Sequence, residues 1–280
     1  MPSDRREFLG AAAGGVAALA LGRRWPPAYD QLGPIGIQLY TVRDRMKTDF
    51  EGTLGRIAKI GYQEVEFAGY FDHTPAQVRN ALKTSGLTAP SAHVEYTRIV
   101  KGEWDKVVEE SLAVGHQYAV VAWIDEDQRK TLDGWKRVAD RLSEAAHAAK
   151  KAGLGMAYHN HSYEFEPLEG QVPYDVLLSA TDPSVVKLEM DLYWVTRGGR
   201  DPLEYFARWP GRIRLVHIKD SKGPPQHVMA DVGTGVIPWG KIFAKHKQAG
   251  IEHYFVEHDE PKDGLASAEV SYRYLRQLRF

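Results

Sequence analysis

Between residues 34 and 278, short apolar runs of strand length alternate eight times with longer runs whose apolar residues recur at helical spacing. The strand-length runs fall at 34–40, 62–67, 87–94, 118–124, 155–161, 185–191, 213–219 and 253–257. The helical ones fall at 50–60, 75–85, 104–114, 132–151, 174–179, 202–209, 239–248 and 267–278. In the first of these, Leu54, Ile57 and Ile60 share one face, and Gly61 stands where the helix would stop. Eight strand–helix units in roughly 250 residues predict an α/β chain folded as a single-domain (β/α)8 TIM barrel. A doubly wound sheet would place a glycine-rich turn after its first strand. Here the first strand runs into Tyr40-Thr41-Val42-Arg43-Asp44, which has no glycine.

The barrel is expected over residues 29–280, because residues 1–28 read differently. Asp4-Arg5-Arg6-Glu7-Phe8-Leu9 sets paired arginines before Phe-Leu, and an Ala/Gly-rich run follows. This resembles a twin-arginine export signal with its linker, cut near Ala18-Leu19-Ala20 or later near Ala28. A periplasmic or secreted location is the expectation. The run is too short and too rich in glycine for a stable membrane insertion. The chain has no cysteine, which removes disulfides, thiolate metal sites and a cysteine nucleophile. A net charge of −1 gives no footprint for nucleic acid. A local charge suited to a phosphorylated substrate would not show in that total, and a homo-oligomer is compatible with the composition.

In a (β/α)8 barrel the chemistry sits at the C-terminal ends of the strands. The residues expected there are Gln38, Tyr40, Glu64, Glu66, His93, Trp123, His159, His161, Glu189, Asp191, His217, Lys219, Glu257 and Asp259. Carboxylates and imidazoles around one mouth are what a hard or borderline divalent ion requires. In Gly155-Met156-Ala157-Tyr158-His159-Asn160-His161, strand alternation puts both histidines on one face, as two ligands or as an acid–base pair. Tyr40, Trp123, Tyr193, Trp194 and Trp239 fall near the mouth and suit stacking on a sugar.

Several local stretches carry a resemblance. They are Gly36-Ile37-Gln38-Leu39-Tyr40-Thr41-Val42-Arg43-Asp44, Val216-His217-Ile218-Lys219-Asp220 and Val256-Glu257-His258-Asp259-Glu260-Pro261, with the loop Val232-Gly233-Thr234-Gly235-Val236-Ile237-Pro238-Trp239. In this order and spacing the chain resembles the xylose-isomerase-like barrel superfamily of sugar isomerases, epimerases and keto-sugar dehydratases. The resemblance implies one metal ligand from each of strands five to eight. Asp191, His217 and Glu257 inherit three of these roles, and the first falls on His159, where ketose epimerases carry glutamate. Tyr158-His159-Asn160-His161 is closer to inosose dehydratases and to eliminases of 3-keto-glycosides. Trp194 stands where the multi-zinc endonuclease branch has a further histidine, which argues against that branch.

The implied activity is a divalent-metal-dependent isomerase, epimerase or lyase acting on a sugar or keto-sugar through an enediolate, with Mn²⁺, Co²⁺, Mg²⁺ or Zn²⁺ as cofactor and a small carbohydrate as partner. Within it, His159 is the ligand and His161 the base over the substrate; the opposite assignment fits the same spacing. Glu257, Glu164 and Lys219 are the further candidates for proton transfer or carbonyl polarisation. Gln38, Tyr40, Glu66, His93, Trp123, Trp194 and Trp239 are the candidate substrate contacts. Lys219 could instead pair with Asp220 or Glu189, and Glu164 could cap a loop. A sugar-binding barrel without turnover is the alternative from another class. With imidazole at strand five and glutamate at strand eight, an acid–base pair of unlike groups favours elimination from a keto-sugar over symmetric ketose epimerisation.

Overall fold

The computed structural model describes residues 30–280; the export-signal reading of residues 1–28 lies outside the described residues. Eight parallel strands close into one barrel. They are β1 (Ile35–Gln38), β2 (Glu64–Ala68), β3 (Thr88–Val94), β4 (Tyr118–Val121), β5 (Gly155–His159), β6 (Val186–Asp191), β7 (Ile213–Ile218) and, after the hairpin described below, β10 (His253–Val256). Closure comes from β1 pairing with both β2 and β10, with Ile37 opposite Val65 and Val256. Each strand is followed by helix, and the longest, α6 (Leu132–Ala152), shows how the sequence writes one. Thr131 caps it by accepting the Gly134 N–H, and Gly153 ends it at φ +89°, a conformation glycine adopts without strain. That turn delivers the chain into β5. Among the described residues no helix is long and apolar enough to cross a membrane.

Inside the barrel the side chains form tiers. At the lower end His253 Nδ1 meets Glu64 Oε2 at 2.9 Å. Above that pair, Val120, Ala157, Leu215 and Phe255 make a small, fully buried apolar layer. The polar groups of the mouth stand on it. Glu64, expected at the mouth, therefore belongs to the lower end, because it opens β2 rather than closing it.

The structure departs from the sequence reading at element ends. Strand one stops at Gln38, whose side chain accepts the Tyr40 N–H and turns the chain into a short 3-10 segment, Leu39–Val42. Strands four and five end at Val121 and His159, so Trp123 and His161 sit on loops. The helix expected over 239–248 is two pieces, α10 (Trp239–Phe243) and α11 (His246–Ala249). A hairpin of β8 (Asp220–Ser221) and β9 (Met229–Ala230) stands outside the barrel and was not foreseen. Its Asp220 carboxylate accepts the backbone N–H groups of Ser221, Gly233, Gly235 and Ile237 and the indole N–H of Trp239.

Candidate active site

The mouth of the barrel holds a cavity of about 370 Å³ lined by Tyr40, Ala68, His93, Ala122, Trp123, His159, His161, Lys219, Glu257 and Asp259. Most of the polar wall comes from where strand alternation sends it: His159 ends β5, while Glu257 directly follows β10 and Lys219 follows β7. Asp191 ends β6, buried between its neighbours. Asn160 fixes it there. Its amide accepts the Asp191 backbone N–H at 3.1 Å and donates to the Asp191 carbonyl at 3.3 Å. Asp191 Oδ1 in turn accepts the Trp194 N–H at 2.9 Å.

Below and among these lies a dense ionic network. His217 Nδ1 is 2.7 Å from Glu257 Oε2, and its Nε2 is 2.6 Å from Glu66 Oε2. Against the cost of burial, those carboxylates and Glu189 hold the His217 ring charged well above the ordinary range. Glu189 Oε2 lies 2.8 Å from His93 Nε2, 3.0 Å from His159 Nδ1 and 3.3 Å from His217 Nε2. Burial, and then Glu66 beside it, pushes Glu189 up to about 7. Also against burial, Glu66 and Glu189 push His93 up to about 10. The Lys219 ammonium sits 3.0 Å from Asp191 Oδ2, 2.8 Å from Glu257 Oε2 and 2.8 Å from Asp259 Oδ1, and these three anions outweigh its desolvation and hold it charged. Neither Asp220 nor Glu189 is its partner.

His161 differs from all of these. Burial, and then the neighbouring Lys219 charge, pushes its pKa down to about 3, so the ring is neutral at any ordinary pH. Its Nδ1 is buried without a hydrogen-bond partner. Trp123 meets the ring edge-on at 5.5 Å, Tyr163 stacks on it at 5.7 Å, and Trp194 lies at 5.7 Å. Glu164 does not reach the cavity. One of its oxygens accepts the Tyr158 hydroxyl at 2.7 Å and the other accepts the His161 backbone N–H at 2.9 Å. Proton transfer to substrate is thus not open to Glu164, which holds the loop that carries His161.

The candidate substrate contacts divide in two. Tyr40, His93 and Trp123 line the cavity, and Tyr40 and Trp123 are exposed there. Gln38 and Glu66 are fully buried beneath it, with Gln38 Nε2 donating to Glu66 Oε2 at 2.8 Å, because β1 ends below the rim. Trp194 packs behind His161 and Lys219 rather than on the cavity wall. Trp239 is buried against Asp220, away from the mouth. Two residues gain weight from the structure. Glu189 stands among three imidazoles, and Asn160 holds Asp191 in place from the β5 side. The signal for Glu189 was its position two residues before Asp191, on the same face of β6.

The donor set suits a divalent cation. One ligating atom each of Asp191, His217 and Glu257 lies within 4.8 Å of the others, as does one each of His93, His159, Glu189 and His217. His159 Nε2 is 3.8 Å from Asp191 Oδ2, which ties the two groups together. Glu66 Oε1 and Glu189 Oε1 are buried without a hydrogen-bond partner. Five carboxylates, Glu66, Glu189, Asp191, Glu257 and Asp259, face one lysine, so protons on the imidazoles and carboxyls or a bound cation balance the remainder.

The same architecture recurs among known proteins. An inosose dehydratase from Geobacillus kaustophilus is 27% identical over 191 residues, 60% of this chain and 60% of that protein. The chain thus spans less than two thirds of the length of that curated relative. A sugar phosphate isomerase/epimerase structure from Parabacteroides distasonis superposes with a TM-score of 0.76 and 27% identity, over 86% of this chain and 93% of that one. The IOLI protein with a bound zinc atom shares the fold at a TM-score of 0.68 and 16% identity, over 86% and 96%. A family model described as xylose isomerase-like TIM barrel matches residues 54–278. Closed barrel, strand-end chemistry and that long match agree: this chain belongs to the xylose isomerase-like TIM barrel family.

Proposed function

We propose that this chain is a divalent-metal-dependent enzyme that removes a proton α to the carbonyl of a sugar or keto-sugar, and that elimination outruns epimerisation on it. The observation that carries the reading is the neutral His161 ring, Nδ1 unpartnered, in a cavity wall that the charged Lys219 and Glu257 also line. His161 takes the α-proton: its ring is unprotonated, and the negative charge of the enediolate formed beside it stabilises the imidazolium that results. As the electron pair moves in, the β C–O bond breaks, and the departing oxygen takes a proton from the Lys219 ammonium. An imidazole and an ammonium in one cavity are unlike groups matched to that asymmetric transfer, whereas epimerisation calls for similar groups on both faces. Bound near His159, Asp191, His217 and Glu257, a divalent ion would supply Lewis-acid stabilisation of the negative charge developing on the substrate oxygen. The relatives described as a dehydratase and as an isomerase/epimerase support the same chemistry for this chain.

The test is solvent exchange. Purified protein is incubated in D2O with free, phosphorylated and 3-keto sugars, with and without chelator, and substrate C–H signals are followed by NMR. Deuterium uptake or elimination that stops on chelation and returns with Mn²⁺, Co²⁺, Mg²⁺ or Zn²⁺ is expected. Saturable sugar binding without exchange would assign the chain to a binding role, and fast C3 epimerisation without elimination would overturn the reaction type.

We also propose export by the twin-arginine route, supported by Arg5-Arg6 ahead of Phe8-Leu9. Replacing both arginines with lysine should retain the protein in the cytoplasmic fraction.

A further inference from the structure

We propose that the end of the barrel opposite the mouth carries a binding site for a small phosphate dianion, free or as a monoester, with Lys187 and Lys150 as its cationic walls. The site lies beneath the apolar layer, and nothing in it depends on the reaction proposed above.

A cavity of about 280 Å³ opens there, where three strands begin. Tyr118 starts β4, Gly155 starts β5 and Lys187 is the second residue of β6, while Lys150 stands in the last turn of α6. The volume falls just below the range of about 300–1,000 Å³ typical of drug-sized ligands, which suits a small anion. Among the described residues no carboxylate lines it.

Unbalanced charge is the first ground. Lys187 Nζ donates to the Pro183 carbonyl at 2.9 Å, and among the described residues no carboxylate pairs with it. Burial, and then repulsion from Arg214, Arg212 and Lys150, lower its pKa. Arg212 is itself buried, and its guanidinium is spent on the carbonyls of Val186 and Leu178 and on the Thr181 hydroxyl, all of them neutral. Arg214 has Glu252 at 2.8 Å, but its Nε is buried without a partner. Asp182, the carboxylate that acts on Lys187, is already engaged by the Ser184 N–H and by His147. Four cations thus share two carboxylates, whereas buried charges are ordinarily paired. A dianion in the cavity would close that deficit.

The donors are the second ground. Lys150, Lys187 and the Ser184 hydroxyl all reach the cavity, and ammonium groups make strong hydrogen bonds to phosphate oxygens. Open carbonyls at the end of α6 would repel an anion. Those of Ala149 and Lys150 are closed by the Leu154 and Gly153 N–H groups, at 3.0 and 3.1 Å. The Tyr118 hydroxyl donates to Glu252 at 3.2 Å. Burial, and then Glu252, push it up to about 12, so it adds no negative charge.

The test reads binding and stability together. Full-length wild type, Lys187→Gln, Lys150→Gln and Trp123→Ala are titrated with inorganic phosphate and with glycerol 3-phosphate, against KCl of matched ionic strength. Phosphorus NMR line width and the thermal transition follow the titration. Saturable broadening and a rising transition temperature are expected for wild type and for Trp123→Ala, whose change lies at the mouth. Each lysine variant should bind about tenfold more weakly. Lys150 is exposed, so its variant tests the site even if Lys187→Gln folds poorly. Equal affinity for both probes marks the free ion as sufficient, and tighter binding of the monoester marks a phosphorylated metabolite; either supports the site. Shifts that KCl reproduces overturn it, as does wild-type affinity in folded lysine variants. Loss of binding in Trp123→Ala would place the anion at the mouth and overturn it too.

Discussion

Glu164 reaches behind the end of β5 and accepts the backbone N–H of His161 at 2.9 Å, so the loop carrying the neutral imidazole is tied to a buried carboxyl. Burial pushes that carboxyl up to about 7, against the help of its Tyr158 bond. The folded chain therefore holds a proton on Glu164 that the unfolded chain has already released above pH 4.5. Since the native state binds more protons in this window, stability from this group is full below pH 4.5 and falls as pH rises through 7. The change is about 3 kcal/mol. Glu164→Gln keeps an acceptor for the His161 N–H, turns its amide N–H toward the Tyr158 oxygen and cannot titrate, so urea unfolding between pH 4.5 and 7 should lose most of that slope. An unchanged slope would show that the group is not the one titrating.

His161→Ala should separate chemistry from metal binding. Loss of the positioned base is expected to lower proton exchange in D2O by about 10²–10⁴-fold. Metal content, measured by mass spectrometry on the same preparation, should stay at the wild-type level. If His161→Ala is the variant that loses metal, the roles of His159 and His161 are inverted.

Tyr40 and Trp123 are exposed on the cavity wall, and each has a guanidinium over its ring: Arg43 at 4.0 Å from the Tyr40 centroid, Arg129 at 5.6 Å from that of Trp123. A ring so held presents its free face to a ligand. Trp123→Ala should raise KM about three- to tenfold, from the loss of stacking worth about 0.5–1.5 kcal/mol, with little change in kcat. A drop in kcat at constant KM would count against the stacking role.

Trp239 makes the opposite prediction. Its indole N–H is one of five donors to Asp220, far from the cavity lining. Trp239→Phe should leave KM unchanged and lower stability by about 1.5–3 kcal/mol, the value of a hydrogen bond to a charged group. Thermal unfolding and steady-state kinetics on one sample check both halves.

The barrel was legible because period-two and period-3.6 patterns repeat eight times, and no local exception alters such a count. His159, Asp191, His217, Lys219 and Glu257 were legible for the same reason, since a strand's last inward residue faces the mouth wherever the strand ends. What the pattern does not give is height. Gln38 and Glu66 occupy inward positions like the others, yet they lie beneath the cavity because β1 turns away at Gln38. Trp239 reads in the sequence as one more aromatic near the mouth, and only its bond to Asp220 shows that its ring is buried elsewhere. The hairpin of β8 and β9 has two residues per strand, too few for any periodicity to register.

The apolar layer of Val120, Ala157, Leu215 and Phe255 has one more consequence. It lies between the charged tier above and the Glu64–His253 pair below, and none of its four side chains is polar. The barrel is thus divided in two: an apolar septum keeps the ion pairs of the mouth from contact with those of the opposite end. Charge changes made beneath the septum can alter how firmly the barrel closes while leaving the contacts of the mouth as they are.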